Sequence, residues 1–189
     1  MTTLSPTAPG GPAYELAQVN IARLRHPLES AELKDFVDAL DPVNAVADGS
    51  DGFRWRLQSD SGNATDVPVL GDRWLIMNLT VWRDMDALTA FMYTGRHREL
   101  LARRFEWFER VEEAMTTLWW VEAGARPTPR DAELRLLHLR EHGPTAHAFT
   151  LRKTYGPPGD EAPETAAGRP AGARTDGVAP PAGASSSAP

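Results

Sequence analysis

The chain has 189 residues, of which about 41% are hydrophobic, enough for one domain with a real core and some length to spare. A net charge of −6 leaves no basic footprint of the kind nucleic acid requires, and the absence of cysteine rules out disulfides, thiolate metal sites and a cysteine nucleophile. No apolar run approaches the roughly 20 residues of a membrane-spanning helix, and no basic and apolar leader opens the chain, so cytoplasmic residence is expected.

Residues 1–13 are rich in Thr, Ser, Pro, Gly and Ala and read as frayed. From Tyr14 to Leu24, Leu16, Gln18, Asn20 and Ala22 alternate with Ala17, Val19 and Ile21, the period of a strand. Pro27 closes it. Ser30 stands where an N-cap belongs, ahead of a helix carrying Leu33, Phe36, Val37 and Leu40 on one stripe. Asp41-Pro42 is expected to break or kink that helix. A second strand over 52–58 alternates Phe53, Trp55 and Leu57 with Arg54, Arg56 and Gln58, and a polar turn follows at 60–63. A third strand over 74–82 sets Leu75, Met77, Leu79 and Val81 against Ile76, Asn78, Thr80 and Trp82.

Asp84 is a candidate N-cap for a helix with Met85, Leu88, Phe91 and Met92 on its apolar stripe. Gly95 marks a break, and a second helical stretch is expected over 97–109. A fourth strand over 115–121, a helix over 129–141 with Leu134, Leu137 and Leu139 among its apolar positions, and a short strand over 148–153 complete the domain. The remaining residues, 154–189, are dominated by Ala, Pro, Gly and Ser and read as a disordered tail.

The order is βαββαβ plus an extra C-terminal helix. It predicts an α+β, ferredoxin-like fold over 14–153, an antiparallel sheet with helices on one face. Gln18, Asn20, Asn78, Thr80 and Trp82 are then expected on the face the helices leave open. Tryptophans beside amides make a poor water surface, so two copies packed sheet to sheet as a homodimer are expected.

The element order resembles the dimeric α/β-barrel superfamily. Within it, Gly52-Phe53-Arg54-Trp55-Arg56-Leu57-Gln58, Gly62-Asn63-Ala64-Thr65, Tyr93 to His97, Glu106-Trp107-Phe108 and Trp119-Trp120-Val121 resemble an uncharacterised bacterial family. The superfamily includes cofactor-independent antibiotic-biosynthesis monooxygenases, haem-degrading and haem-using proteins, small polyketide cyclases, and stress proteins without clear chemistry. The resemblance implies the fold, and it implies a cavity for a small aromatic or polyketide-like ligand.

Helical spacing puts His97, Leu100, Arg104 and Trp107 on one face. A histidine beside a cavity suits general acid–base work, since it titrates near neutrality. Arg104, or Arg103, suits a carboxylate or enolate oxygen, and Asn78 a substrate carbonyl. Trp55, Trp82, Trp107, Tyr93 and Asn20 are the candidate binding residues. The plainer reading is a helix-break histidine, arginines paired with Glu99 or Glu106, and tryptophans in the core. His138 and His142 share a helix face four residues apart, but no third ligand supports a metal site there. There is no Gly-rich phosphate loop and no Gly-x-Ser-x-Gly elbow. The sequence therefore points to a small-molecule-binding protein that, as an enzyme, is a cofactor-independent oxygenase, cyclase or isomerase. A non-catalytic dimeric scaffold and a haem protein liganded by His97 are the alternatives.

Overall fold

The computed structural model describes residues 13–93 and 95–159. The termini expected to be disordered, up to residue 12 and from 160 onward, lie outside the described residues. β1 (Tyr14–Arg23) carries apolar residues on both faces, which suits a central strand. It pairs antiparallel with β3 (Leu75–Trp82) and β4 (Thr116–Glu122), and β2 (Phe53–Arg56) joins the outer side of β3. The resulting order, β2-β3-β1-β4, is the ferredoxin-like arrangement.

α1 (Lys34–Asp48) continues through Pro42. The expected break is absent because proline removes one N–H at an exposed position, where the orphaned carbonyl a turn earlier can meet water. Ser30 takes the extended backbone of an N-cap before a short 3-10 turn, Ala31–Leu33, but its side chain makes no capping bond. Asp84 does cap α2 (Met85–Met92), accepting from the Ala87 N–H at 2.8 Å. Gly95, at φ +52°, starts α3 (Gly95–Arg103). The helix expected to reach 109 stops at Arg103. After a 3-10 turn the chain runs beside the end of β1, where Phe108 bridges Leu24 and the Glu109 N–H reaches the Arg23 carbonyl at 2.9 Å. α4 (Pro129–His142) opens on a reciprocal capping box between Thr128 and Asp131.

The two sheet faces are covered differently from the expectation. Leu16, Trp82 and Leu118 pack against Ala47, Ala87, Leu88 and Phe149, while Ile76 and Trp107 pack with Phe36 and Leu100. The face bearing Gln18, Asn20, Asn78, Thr80 and Trp82 therefore lies under α1, α2 and α3. Ala17, Val19, Leu79, Val81 and Trp119 point the other way and are closed over by Ala132 and Leu136 of α4 and by Val69 of the long 57–74 connection. The face that was to pair two copies is filled from within the chain. In α4 the buried stripe is Ala132, Leu136 and Leu139, whereas Leu134 and Leu137 are 48% and 41% exposed.

A β-bulge in β2 changes a second expectation. Phe53 opposes Trp82 and Trp55 opposes Val81, with a register shift between them. One extra residue reverses the inside–outside alternation, so Phe53 and Trp55 lie on opposite faces. Arg56, opposite Thr80, then faces the helix side.

The strand expected over 148–153 reduces to isolated bridges: Phe149 to Leu118 of the sheet, and the local pairs Ala148 with Thr145 and Thr150 with Lys153. Packing nevertheless continues to Tyr155, whose ring lies 5.9 Å from Phe149, whose hydroxyl donates to the Pro144 carbonyl, and whose own carbonyl accepts from Trp120 Nε1. Among the described residues no helix is long and apolar enough to cross a membrane.

Candidate functional site

A cavity of about 430 Å³ opens between the sheet and the helices α1 and α3. Its floor is a polar row across three strands. Asn78, Asn20 and Thr116 stand side by side in register, and Thr116 Oγ1 donates to Asn20 Oδ1 at 2.8 Å. Asn78 is exposed in mid-strand and has no side-chain partner among the described residues, so its amide is available to a ligand. The next row is closed. Trp82 Nε1 donates to Thr80 Oγ1, and Thr80 Oγ1 donates to Gln18 Oε1, both at 3.0 Å. The floor thus passes from the Asn78 amide to a satisfied polar chain that terminates on a buried tryptophan.

The apolar walls come from Phe36, Leu40 and Val43 of α1, Leu100 and Leu101 of α3, and Phe105, Trp107 and Phe108 beyond it. Trp107 is 2% exposed and packs against Phe36 at 5.8 Å between ring centres. At the far rim Asn44 Nδ2 donates to Asn63 Oδ1 at 2.6 Å, and Arg56 spans from Asp48 to the Gly62 carbonyl.

His97 lines the cavity from the first turn of α3. Its ring rests 4.6 Å from that of Phe91, which in turn stacks on Trp82 at 5.0 Å. Nδ1 lies 3.1 Å from the Met92 carbonyl, which can only accept, so the proton is on Nδ1 and Nε2 keeps the lone pair. Burial pushes its pKa below the ordinary 6.5, with the Met92 bond opposing more weakly. The imidazole is therefore a neutral base at physiological pH.

Five of the residues singled out in the sequence line this one cavity: His97, Asn78, Arg104, Trp107 and Asn20. Three do not. The bulge carries Trp55 to the opposite face, where it packs on the α4-side core. Trp82 is a buried core residue behind the polar floor. Tyr93 sits at the end of α2, 58% exposed. Arg56, Asn44 and Asn63 are among the polar lining residues that sequence reading missed, with Arg23, Thr65, Glu109 and Thr116. Only the bulge turns Arg56 inward, and pattern gives no sign of it.

The cavity also decides which cofactor can fit. His97 is its one lining histidine. Pockets for drug-sized ligands span roughly 300–1,000 Å³, and a four-pyrrole haem with its propionates demands the larger end of that range. At about 430 Å³ the space lies toward the smaller end. His138 and His142 stack ring on ring at 4.4 Å, His138 Nε2 is 3.0 Å from Thr145 Oγ1, and no group of three or more potential ligands is placed for a metal among the described residues.

Residues 15–165 match the profile of the domain-of-unknown-function family DUF3291. The chain belongs to this family. No protein of curated function matches it. Among solved structures, the DUF3291 chain is similar to a protein of unknown function from Nitrosomonas europaea, at 16% identity over 62% of this chain and 96% of that one, with a TM-score of 0.38. A candidate antibiotic biosynthesis monooxygenase from Nitrosomonas europaea gives 13% identity over 65% and 99%, TM-score 0.40. A candidate of the same kind from Caulobacter crescentus gives 14% over 59% and 91%, TM-score 0.37. For the DUF3291 domain, the chemistry has to be argued from the cavity itself.

Proposed function

We propose that this DUF3291 protein binds a two- or three-ring aromatic or polyketide-like molecule between the sheet and α1/α3, and uses His97 as a proton-transfer group on it. The observation that carries the reading is the pairing of a neutral, oriented histidine with an unpartnered Asn78 amide in one aromatic-walled cavity. His97 Nε2 takes a proton from an acidic C–H or O–H of the ligand. The oxygen that gains charge accepts from Asn78 Nδ2. In a cyclisation or isomerisation the proton returns to the ligand and no co-reactant is consumed. In an oxygenation, dioxygen is the co-substrate: an activated CH2 becomes C=O, and the second oxygen leaves with the two hydrogens as water.

The test is His97→Ala, assayed for binding by quenching of Trp107 and for turnover by product mass. Binding within a few-fold of wild type with turnover lost is the expected result. Turnover that survives the substitution removes His97 from the chemistry. A panel of fused-ring aromatics that leaves tryptophan emission unchanged removes the cavity as their site.

A second reading draws on a specific contact. By reaching the Met92 carbonyl, His97 ties the start of α3 to the end of α2, which is a structural task. A non-catalytic binding protein would use the histidine in that way only, and His97→Ala would then lower the melting temperature without changing any conversion of ligand.

A further inference from the structure

The charges around the cavity are unequally matched. Its lining includes three arginines, Arg23, Arg56 and Arg104. Arg23 is paired with Asp72 and Glu109, and Arg56 with Asp48. Arg104 has no carboxylate within ion-pair distance among the described residues; its only hydrogen bond there runs from Nη1 to the Leu101 carbonyl at 2.6 Å. A guanidinium has five donors, so most of its fork is unused.

Arg110 is in the same condition. Its guanidinium carbon lies 4.0 Å from the centre of the Phe105 ring, and that of Arg104 lies 4.1 Å from the same point. The two cations are therefore no more than about 8 Å apart, a repulsive spacing that only the ring's π-face moderates. The acids nearest in sequence do not relieve it. Glu106 is taken by Arg103, Glu109 by Arg23 and Glu113 by Arg140, and Glu112 is out of ion-pair reach of both cations. Two arginines without an ion pair are thus held against one cavity-lining ring, in a chain of net charge −6.

We infer that the ligand is an anion, with an apolar ring body in the cavity and a carboxylate, or an oxyanion of like geometry, held by Arg104, with Arg110 adding positive charge nearby. This rests on the reading of the cavity as a ligand site and adds the chemical class. The aromatic walls supply affinity without charge preference. The unmatched guanidinium pair selects charge and orients the ligand, acid end at Phe105 and ring body toward Asn78 and His97.

Isothermal titration of the full chain at neutral pH, with a naphthalene carboxylate and its matching carboxamide, separates the two claims. The pair differs only in charge at one end. The carboxylate is expected to bind at least about tenfold more tightly at low salt, with that preference shrinking as salt rises. In the double variant Arg104→Met, Arg110→Met the preference disappears while carboxamide affinity stays within about twofold, since methionine keeps the apolar stem. Equal binding of the two probes by wild type overturns the anion inference and leaves the cavity reading standing. A preference that persists in the double variant overturns the assignment to these arginines. Failure of both probes to bind overturns the cavity reading and this inference together.

Discussion

At the scale of single residues, His97 and Trp82 show how one environment serves two ends. His97 is held neutral by burial, so the folded state takes up its proton at lower pH than the unfolded chain, whose histidine titrates near 6.5. Below that value the unfolded state binds more protons. This contribution to stability is complete above 6.5 and is lost as pH falls through the folded pKa. His147, whose pKa is lowered by burial and by Arg135 and His138, acts in the same direction. The denaturant midpoint is therefore expected to fall between pH 7 and 5, and His97→Gln to remove part of that fall; an unchanged slope would show that His97 is not desolvated. Trp82→Phe tests the closed polar row. It deletes the Nε1–H that Thr80 accepts in a buried site and is expected to cost about 1–3 kcal/mol in urea unfolding, with ligand affinity unaltered.

At the scale of elements, the strands and helices were legible because each keeps its period: β1 and β3 alternate, α1 and α2 carry stripes, and Asp84 announces its helix. The β2 bulge was not, because a four-residue strand is too short for alternation to reveal an extra residue. Hence Trp55 was read as a cavity wall and Arg56 was overlooked. Gly52 holds the entry to β2 against α2 in a way only glycine permits. Its φ is +77°, and an added Cβ would fall 2.5 Å from that of Ala87. Gly52→Ala is expected to destabilise by about 1–3 kcal/mol, read from the thermal or urea midpoint. A neutral result would mean that β2 and α2 slide freely past each other. The end of α3 was misread for a related reason. Leu101, Phe105 and Phe108 fit a helical stripe, but the Trp107 carbonyl and the Glu109 N–H pair with Arg25 and Arg23 at the end of β1 instead.

At the scale of the whole molecule, the sheet is buried on both faces by its own chain, and that changes what a partner could use. The apolar stripe of α4 that does this is interleaved with Leu134 and Leu137, so the sequence pattern did not show which side would face inward. With the sheet filled, the largest apolar groups left exposed on α4 are those two leucines. That surface is far short of the roughly 800 Å² per partner of a stable interface. Sedimentation velocity at tens of micromolar tests the homodimer expected from the sequence; a tight dimer that Leu134→Glu leaves intact would mean that a face other than α4 pairs. The placement of α4 also gives the molecule two sides with separate uses. The cavity opens beneath α1 and α3, while α4 lies beyond the sheet. Because the chain has no native thiol, a cysteine introduced at Leu137 would be its unique attachment point, so a dye or surface linker placed there would report on the domain from behind and leave the mouth of the cavity clear.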